Sequence, residues 1–211
     1  MRITVFGATG GTGRQLVEQA VAAGHEVTAV VRDPGRLPIR HAQLEVATAD
    51  VTDAAQLRPL VAGADAAVSG LGSPTNKGAG IASTGTRAIL RALEAEGVER
   101  FVAVSAAPVG DQPQDESALF RATMLPMVRR AFKNVYADLA VMENEIRGSR
   151  LGWTIVRPPQ LTDEPGTGSW QLREGTAVPH RHRITRADLA GAVLAMAQDG
   201  STARKIYGVA N

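Results

Sequence analysis

The sequence predicts a doubly wound α/β domain: a parallel sheet with helices on both faces and a small substrate-side elaboration near the C-terminus. Three observations carry this. Apolar strand-like runs alternate with helical-period segments along almost the whole chain. The first run, Arg2-Ile3-Thr4-Val5-Phe6, has a buried-strand pattern and leads into Gly7-Ala8-Thr9-Gly10-Gly11-Thr12-Gly13-Arg14. That turn is followed by an amphipathic segment and a second strand, which together make a βαβ unit.

Each element has its own signal. Leu16, Val17, Ala20 and Val21 fall at helical spacing, and Gly24 stands where such a helix ends. His25–Val31 reads as the second strand and Leu44–Ala49 as the third. Residues 53–63 read as a helix, and Ala66-Ala67-Val68-Ser69 as a fourth strand ending in Gly70-Leu71-Gly72. Residues 81–96 predict a long helix with Ile89, Leu90 and Leu93 inward, stopped by Gly97. Residues 100–104 give a fifth strand ending at Ser105, and residues 117–147 a helical stretch bent near Pro126. Residues 152–157 give a sixth strand broken by Pro158-Pro159, 185–198 a late helix, and 205–209 the last strand. No linker, repeat or low-complexity segment interrupts the pattern, so residues 1–211 are expected to form one domain.

The glycines divide the work of a phosphate turn. Gly7 lets the chain turn at the strand end, Gly10 lets a pyrophosphate approach the backbone, and Gly13 lets the helix pack close to the sheet. The helix N-terminus then offers N–H groups and a positive dipole end to phosphate. Their spacing is G-x-x-G-x-x-G. The second strand ends in Arg32-Asp33, with Arg36 close behind. A carboxylate there favours a ribose 2′-hydroxyl, whereas an arginine accommodates a 2′-phosphate. The two arginines predict NADP(H) in preference to NAD(H), and Asp33 is the residue that argues the other way.

Composition bounds the remaining possibilities. The net charge is only +2, and no Lys/Arg run is interleaved with aromatics, so nucleic acid is not an expected partner. Cysteine is absent, which excludes thiol catalysis, disulfides and cysteine-ligated metal. No apolar run approaches the roughly 18–20 residues of a membrane helix. A strand that begins at residue 2 leaves no room for a signal peptide, and a cytoplasmic location without membrane attachment is expected. The chain is expected to act on a small molecule as a monomer or weak dimer. His180 and His182, in Pro179-His180-Arg181-His182-Arg183, lack the carboxylate spacing of a metal site and read first as part of a solvated basic loop.

In open parallel sheets, ligands sit outside the carboxyl ends of the strands. The candidates are therefore the glycine turn, Arg32, Asp50-Val51, Leu71-Gly72, Ser105-Ala106 and Pro158-Pro159-Gln160. The earlier ones face the adenosine half of a dinucleotide and the later ones the nicotinamide half.

These segments together resemble an atypical short-chain dehydrogenase/reductase with a Rossmann-type sheet. More narrowly, the chain is similar to the NAD(P)H-binding reductases related to biliverdin reductase B, or flavin reductase. Asp50-Val51, Val102-Ala103-Val104-Ser105-Ala106, Trp153–Pro159, Leu161–Gly168 and Ile184–Ala190 fit that group, over nearly the whole chain. The resemblance implies that Thr9, Gly11, Thr12, Arg32 and Arg36 hold the pyrophosphate and 2′-phosphate. It also implies that Asp50 and Val51 border the adenine, that Leu71 and Gly72 line the ribose path, and that Ser105 lies near the nicotinamide.

Three departures bear on the reaction. Tyr136 is followed four residues later by Ala140, so the Tyr-x-x-x-Lys pair of typical members is missing. Ser105-Ala106 replaces the group's Thr-Ser pair, and Gln160 stands where the group has a histidine. Carbonyl reduction needs a proton donor, usually a tyrosine assisted by lysine. A flavin or quinone can take its proton from water. The expected activity is therefore NADPH-dependent hydride transfer to a planar acceptor (flavin, quinone or tetrapyrrole-like), with Ser105 and Gln160 as candidate acceptor contacts. The alternative expectation is a non-catalytic NADP(H) sensor that acts through a protein partner. A sugar-nucleotide epimerase is disfavoured, since both the Tyr/Lys pair and a larger C-terminal domain are missing.

Overall fold

Side chains along β1 (Arg2–Phe6) alternate between two cores, and this alternation sets the layering of the molecule. Ile3 and Val5 enter one core with Leu16 and Val17 of α1 (Gly11–Ala22) and Leu189 and Val193 of α7 (Arg186–Gln198). Phe6 enters the other, among Leu57 of α2 (Ala54–Val61), Ile89 and Leu93 of α3 (Ile81–Glu96), and Met142 and Ile146 of α6 (Lys133–Gly148). On that second face the Thr4 hydroxyl donates to the Leu60 carbonyl. Because both faces are covered, the inner strands read as near-continuous apolar runs. The computed structural model describes residues 1–73 and 75–211.

The remaining strands of the main sheet are β2 (Glu26–Val31), β3 (Leu44–Thr48), β4 (Ala66–Ser69), β5 (Arg100–Val104), β6 (Gly152–Arg157), β8 (Gln171–Glu174) and β10 (Lys205–Ala210). Their order is β3-β2-β1-β4-β5-β6-β10-β8, parallel except for β8, which runs antiparallel to β10 at the edge. Ile3 of β1 sits opposite Val27 of β2 and Ala66 of β4. Winding proceeds outward from β1 to β3 and then reverses to β4, so the switch point lies between β1 and β4.

The predicted elements appear close to their expected limits, with two differences. The stretch 117–147 is three helices rather than one bent helix: α4 (Ala118–Ala122), α5 (Met124–Ala131) and α6. The breaks fall at Thr123 and Phe132 rather than at Pro126. Pro126 lies in the first turn of α5, where a missing N–H leaves no intrahelical bond unmade, so it starts a helix instead of bending one. The second difference is three short strands that the sequence reading passed over. They are β8, β7 (Gln160–Thr162) and β9 (Arg183–Thr185), the last two pairing in parallel as a small separate sheet. Runs of three or four residues, most of them polar, carry no usable period.

Residues after β9 are fixed by a cap. Thr185 accepts the Asp188 N–H at 3.0 Å and donates its hydroxyl to the Asp188 carboxylate at 2.9 Å. The same buried carboxylate accepts the N–H groups of Thr167 and Gly168, which ties the loop beyond β7 to the start of α7.

Candidate functional site: a groove at the switch point

The turn between β1 and α1 shows why glycine is needed at two positions. Gly7 has φ +74°, and a Cβ there would stand 2.8 Å from the Gly70 carbonyl carbon at the end of β4. A Cβ on Gly13 would stand 2.1 Å from the Gly7 carbonyl oxygen, so only glycine lets α1 seat against the turn. No side chain caps the first turn of α1. Its amide N–H groups and positive dipole end remain available to an anion at the carboxyl edge of the sheet.

A groove of about 520 Å³ opens there. Gly7, Thr9, Gly10, Gly11 and Thr12 form its floor. Arg32, Arg36 and Val51 lie toward the β2–β3 side, and Leu71 and Gly72 toward β4. Ten of the predicted positions therefore meet in one cleft. A second hollow of about 420 Å³ lies at the opposite, amino-terminal edge, lined by Arg2, Glu26 and Leu60 among others. It lies away from the helix N-terminus and the glycine turn, which makes it the weaker candidate.

Five predicted positions are placed otherwise. Gly13 is buried and acts through packing. Asp50 is exposed and braces its own turn, accepting the Thr52 N–H at 2.9 Å and the Thr52 hydroxyl at 2.8 Å. These two bonds, and then Arg32 nearby, hold its carboxyl below the usual carboxylate range against a small opposing effect of desolvation. Ala49 and Val51, its neighbours, line the groove in its place. Pro158 is buried, and its carbonyl accepts the Ala107 N–H. Ser105 is 6% exposed, and its hydroxyl donates to Glu143 at 2.6 Å. Glu143 is in turn held by the Arg157 guanidinium in a buried ion pair, so this hydroxyl is committed to an internal network. Gln160 is exposed at the start of β7, and its N–H donates to the His182 carbonyl.

Asp33, the residue that argued for a ribose hydroxyl, accepts the Gly35 N–H at 2.9 Å and caps the short turn Pro34–Arg36. Arg14 donates to the Arg36 carbonyl, which steadies the same turn. Two arginines thus face the groove at the end of β2, while the carboxylate between them is engaged by its own backbone.

Sequence reasoning missed Arg186. Its side chain lies directly over Gly11, where a Cβ would come within 2.6 Å of its Cδ, and it pairs with Asp163. The signal was the Thr185-Arg186-Ala187-Asp188 cap. Without β9 recognised, nothing indicated that this cap faces α1.

Tyr136 is half-buried against the second core, and burial raises its phenol above the ordinary value. Its nearest aromatic neighbour is Phe132, with ring centroids 6.0 Å apart. Among the described residues no set of three or more His, Asp or Glu side chains is placed to hold a metal ion, and no helix is long and apolar enough to cross a membrane.

Residues 7–200 match the profile of a protein family described as NAD(P)H-binding. The UPF0659 protein C216.03 of Schizosaccharomyces pombe is 28% identical over 94% of this chain and 85% of its own length. A wide-type short-chain dehydrogenase/reductase from Veillonella parvula, solved in complex with NADP, superposes with a TM-score of 0.80. It shares 19% identity and covers 100% of this chain and 94% of its own. ChuY, an anaerobillin reductase from Escherichia coli O157:H7, superposes with the same TM-score of 0.80 at 22% identity, covering 100% of this chain and 97% of its own. At these identities the two structures establish the shared fold.

Proposed function

From the premise that the chain belongs to the NAD(P)H-binding family, we propose that it is an NADPH-dependent reductase delivering hydride to a planar acceptor such as a flavin, a quinone or a tetrapyrrole. One observation carries the cofactor preference. Arg32 and Arg36 line the groove beyond β2, while Asp33 is turned back onto Gly35. A guanidinium pairs with phosphate through charge-assisted hydrogen bonds, and an engaged carboxylate is a poor partner for a ribose hydroxyl. The residues present fit the adenosine and pyrophosphate parts of a dinucleotide. Gly7 and Gly13 allow close approach, the α1 N-terminus takes the pyrophosphate, and Arg186 stands over Gly11 on the other side.

A nicotinamide cofactor supplies the hydride. The chain's own share is to bind, orient and exclude water. Leu71 and Ile81 give the groove apolar wall, and Arg186 closes it above the glycine turn. What lies along the groove supports this acceptor class. Its polar lining consists of threonine, serine and arginine side chains, none of which is an acid of the right strength, and Ser105 is held by Glu143. An acceptor whose reduced form is stable as an anion fits such a groove best.

The test is consumption of NADPH by purified protein with FMN, a quinone series and biliverdin. Turnover with at least one of them is expected, and a flat response across the panel would refute the reading. The buried state of Ser105 favours a second reading, a sensor that binds NADP(H) without turnover. A sensor would bind a protein partner in one redox state of the cofactor only, and pull-downs with NADP⁺ and NADPH would separate the two readings.

A further inference from the structure

Glu116 is a buried carboxylate that the proposed function does not use. Its side chain is 1% exposed, and its oxygens accept the Ser117 N–H at 2.7 Å and the His180 N–H at 3.1 Å. Among the described residues no lysine or arginine pairs with it. The cationic partners within reach are His180, whose Nδ1 lies 3.6 Å away, and His182, whose Nε2 lies 3.9 Å away. A buried carboxylate needs such partners, because an uncompensated charge away from water is costly. The His182 ring is also stacked on Phe120, with centroids 4.1 Å apart and planes inclined by 19°. One face of that imidazole is therefore packed on an aromatic ring, its Nε2 stands near a carboxylate, and the side chain remains 44% exposed. Among the described residues its Nδ1 makes no hydrogen bond, and His182 itself stands outside the lining of the groove. Asp115, the adjacent carboxylate, pairs with Arg173 and faces His180 from the same segment.

The small β7–β9 sheet sets where this imidazole stands. Arg186, just past the end of β9, lies over Gly11 at the pyrophosphate end of the groove. Leu161, in the middle of β7, also lines the groove. His182 is four residues before Arg186, about 13 Å back along the strand at ~3.3 Å per residue. There its carbonyl accepts the Gln160 N–H, just past the carboxyl end of β6. A dinucleotide laid across the switch point would direct its nicotinamide half toward that end of the sheet.

We propose that His182, oriented by Glu116 and Phe120, is a proton donor to the acceptor, so that the site also reduces carbonyl compounds whose alkoxide must be protonated. This inference rests on the reductase reading above. In the step, the carbonyl carbon takes hydride from NADPH and the C=O π pair moves to oxygen. The oxygen takes the Nδ1 proton of the His182 imidazolium, leaving an alcohol, NADP⁺ and a neutral imidazole that solvent recharges. Glu116 is a positioning residue: it never meets the acceptor.

Two measurements decide it. The first needs no turnover: carbethoxylation of the histidines by diethyl pyrocarbonate, read by peptide mass spectrometry with and without saturating NADP⁺. Modification of His182 is expected to slow severalfold when NADP⁺ is bound, while His25, at the amino-terminal edge of the sheet, is unchanged. Equal rates at His182 in both states would overturn the placement. The second compares an aromatic aldehyde with a quinone. His182→Gln is expected to lower the aldehyde-to-quinone turnover ratio by about 100-fold, the usual weight of a general acid. Glu116→Gln is expected to lower it in the same direction by less. Equal losses on both acceptors, or wild-type protein that reduces the quinone but no aldehyde, would overturn the inference and leave the reductase reading standing. Wild-type protein that reduces neither would remove that reading, and this inference with it.

Discussion

Arg32 lines the groove while its neighbour Asp33 caps Gly35, and the proposed preference for NADPH rests on this division between two side chains. Arg32→Ala should weaken NADPH binding by about 1.5–3 kcal/mol, or about 10- to 150-fold, and NADH binding much less. Calorimetric titration with both cofactors checks this; equal losses would mean that Arg32 does not read the 2′-phosphate. A different kind of residue is Glu143, buried with Arg157 and Ser105. Removing one member of a buried pair leaves the other charge uncompensated, so Glu143→Ala should cost about 3–5 kcal/mol of stability. Denaturant unfolding checks it, and a loss below about 1 kcal/mol would place the pair among those of surface strength. At this scale the placement of a residue in the groove was legible where it depends on the backbone or on a position just after a strand. The glycines, Thr9, Thr12, Arg32, Arg36, Val51, Leu71 and Gly72 all follow from that rule. It was not legible where the role depends on a partner far along the chain. Nothing in Ser105 announces Glu143, and nothing in Asp50 says that its carboxylate will fold back on Thr52.

Helix α7 is the element on which the far wall of the groove depends, because Arg186 opens it and Asp188 holds it in place. Burial alone would raise the Asp188 carboxyl, but bonds from the Thr167 N–H, the Thr185 hydroxyl, and the Gly168 N–H and Thr167 hydroxyl together hold it below the usual range. A depressed folded-state value contributes stability that is present above the unfolded value, near 3.9, and is lost as pH falls through the folded value. Asp188→Ala should therefore destabilise the protein by about 3 kcal/mol at neutral pH, from lost charge-assisted bonds and a lost cap. The gap from wild type should narrow below about pH 4. Unfolding measured at both pH values tests the sign; a gap that widens in acid would refute it. The elements with long period, α1, α3 and the inner strands, could be read directly because burial on one or both faces imposes that period. The segment from Ala118 to Phe132 could not, because most of it is exposed and its breaks at Thr123 and Phe132 come from local backbone geometry. The pairing of β7 with β9 was invisible for a further reason: it joins residues more than twenty positions apart through strands of three residues.

The groove is assembled from parts of the chain that are distant in sequence: the β1–α1 turn, the end of β2, the end of β4, β7 and the start of α7. A ligand lying in it links both halves of the sheet across the switch point, and it binds only when all of these parts are in place. Linkage then requires that the ligand stabilise the fold by RT ln(1 + [L]/Kd), about 2.7 kcal/mol at a hundredfold excess over Kd. For a chain of this size, roughly 2–4 °C per kcal/mol converts that to a rise in melting temperature of about 5–11 °C. NADPH should give that rise, and NADH at equal concentration a smaller one, if Arg32 and Arg36, which line the groove beyond β2, read the 2′-phosphate as proposed. Arg32→Ala should bring the NADPH shift down to the NADH level without changing the melting temperature of the ligand-free protein by more than about 2 °C, since Arg32 is an exposed side chain at a strand end. Differential scanning fluorimetry over a concentration series measures all three quantities. Equal shifts for the two cofactors in the wild-type protein would mean that the groove binds the dinucleotide without reading its 2′ position. The preference for NADPH would then have no basis in Arg32 and Arg36, although the fold and the glycine turn would still account for binding.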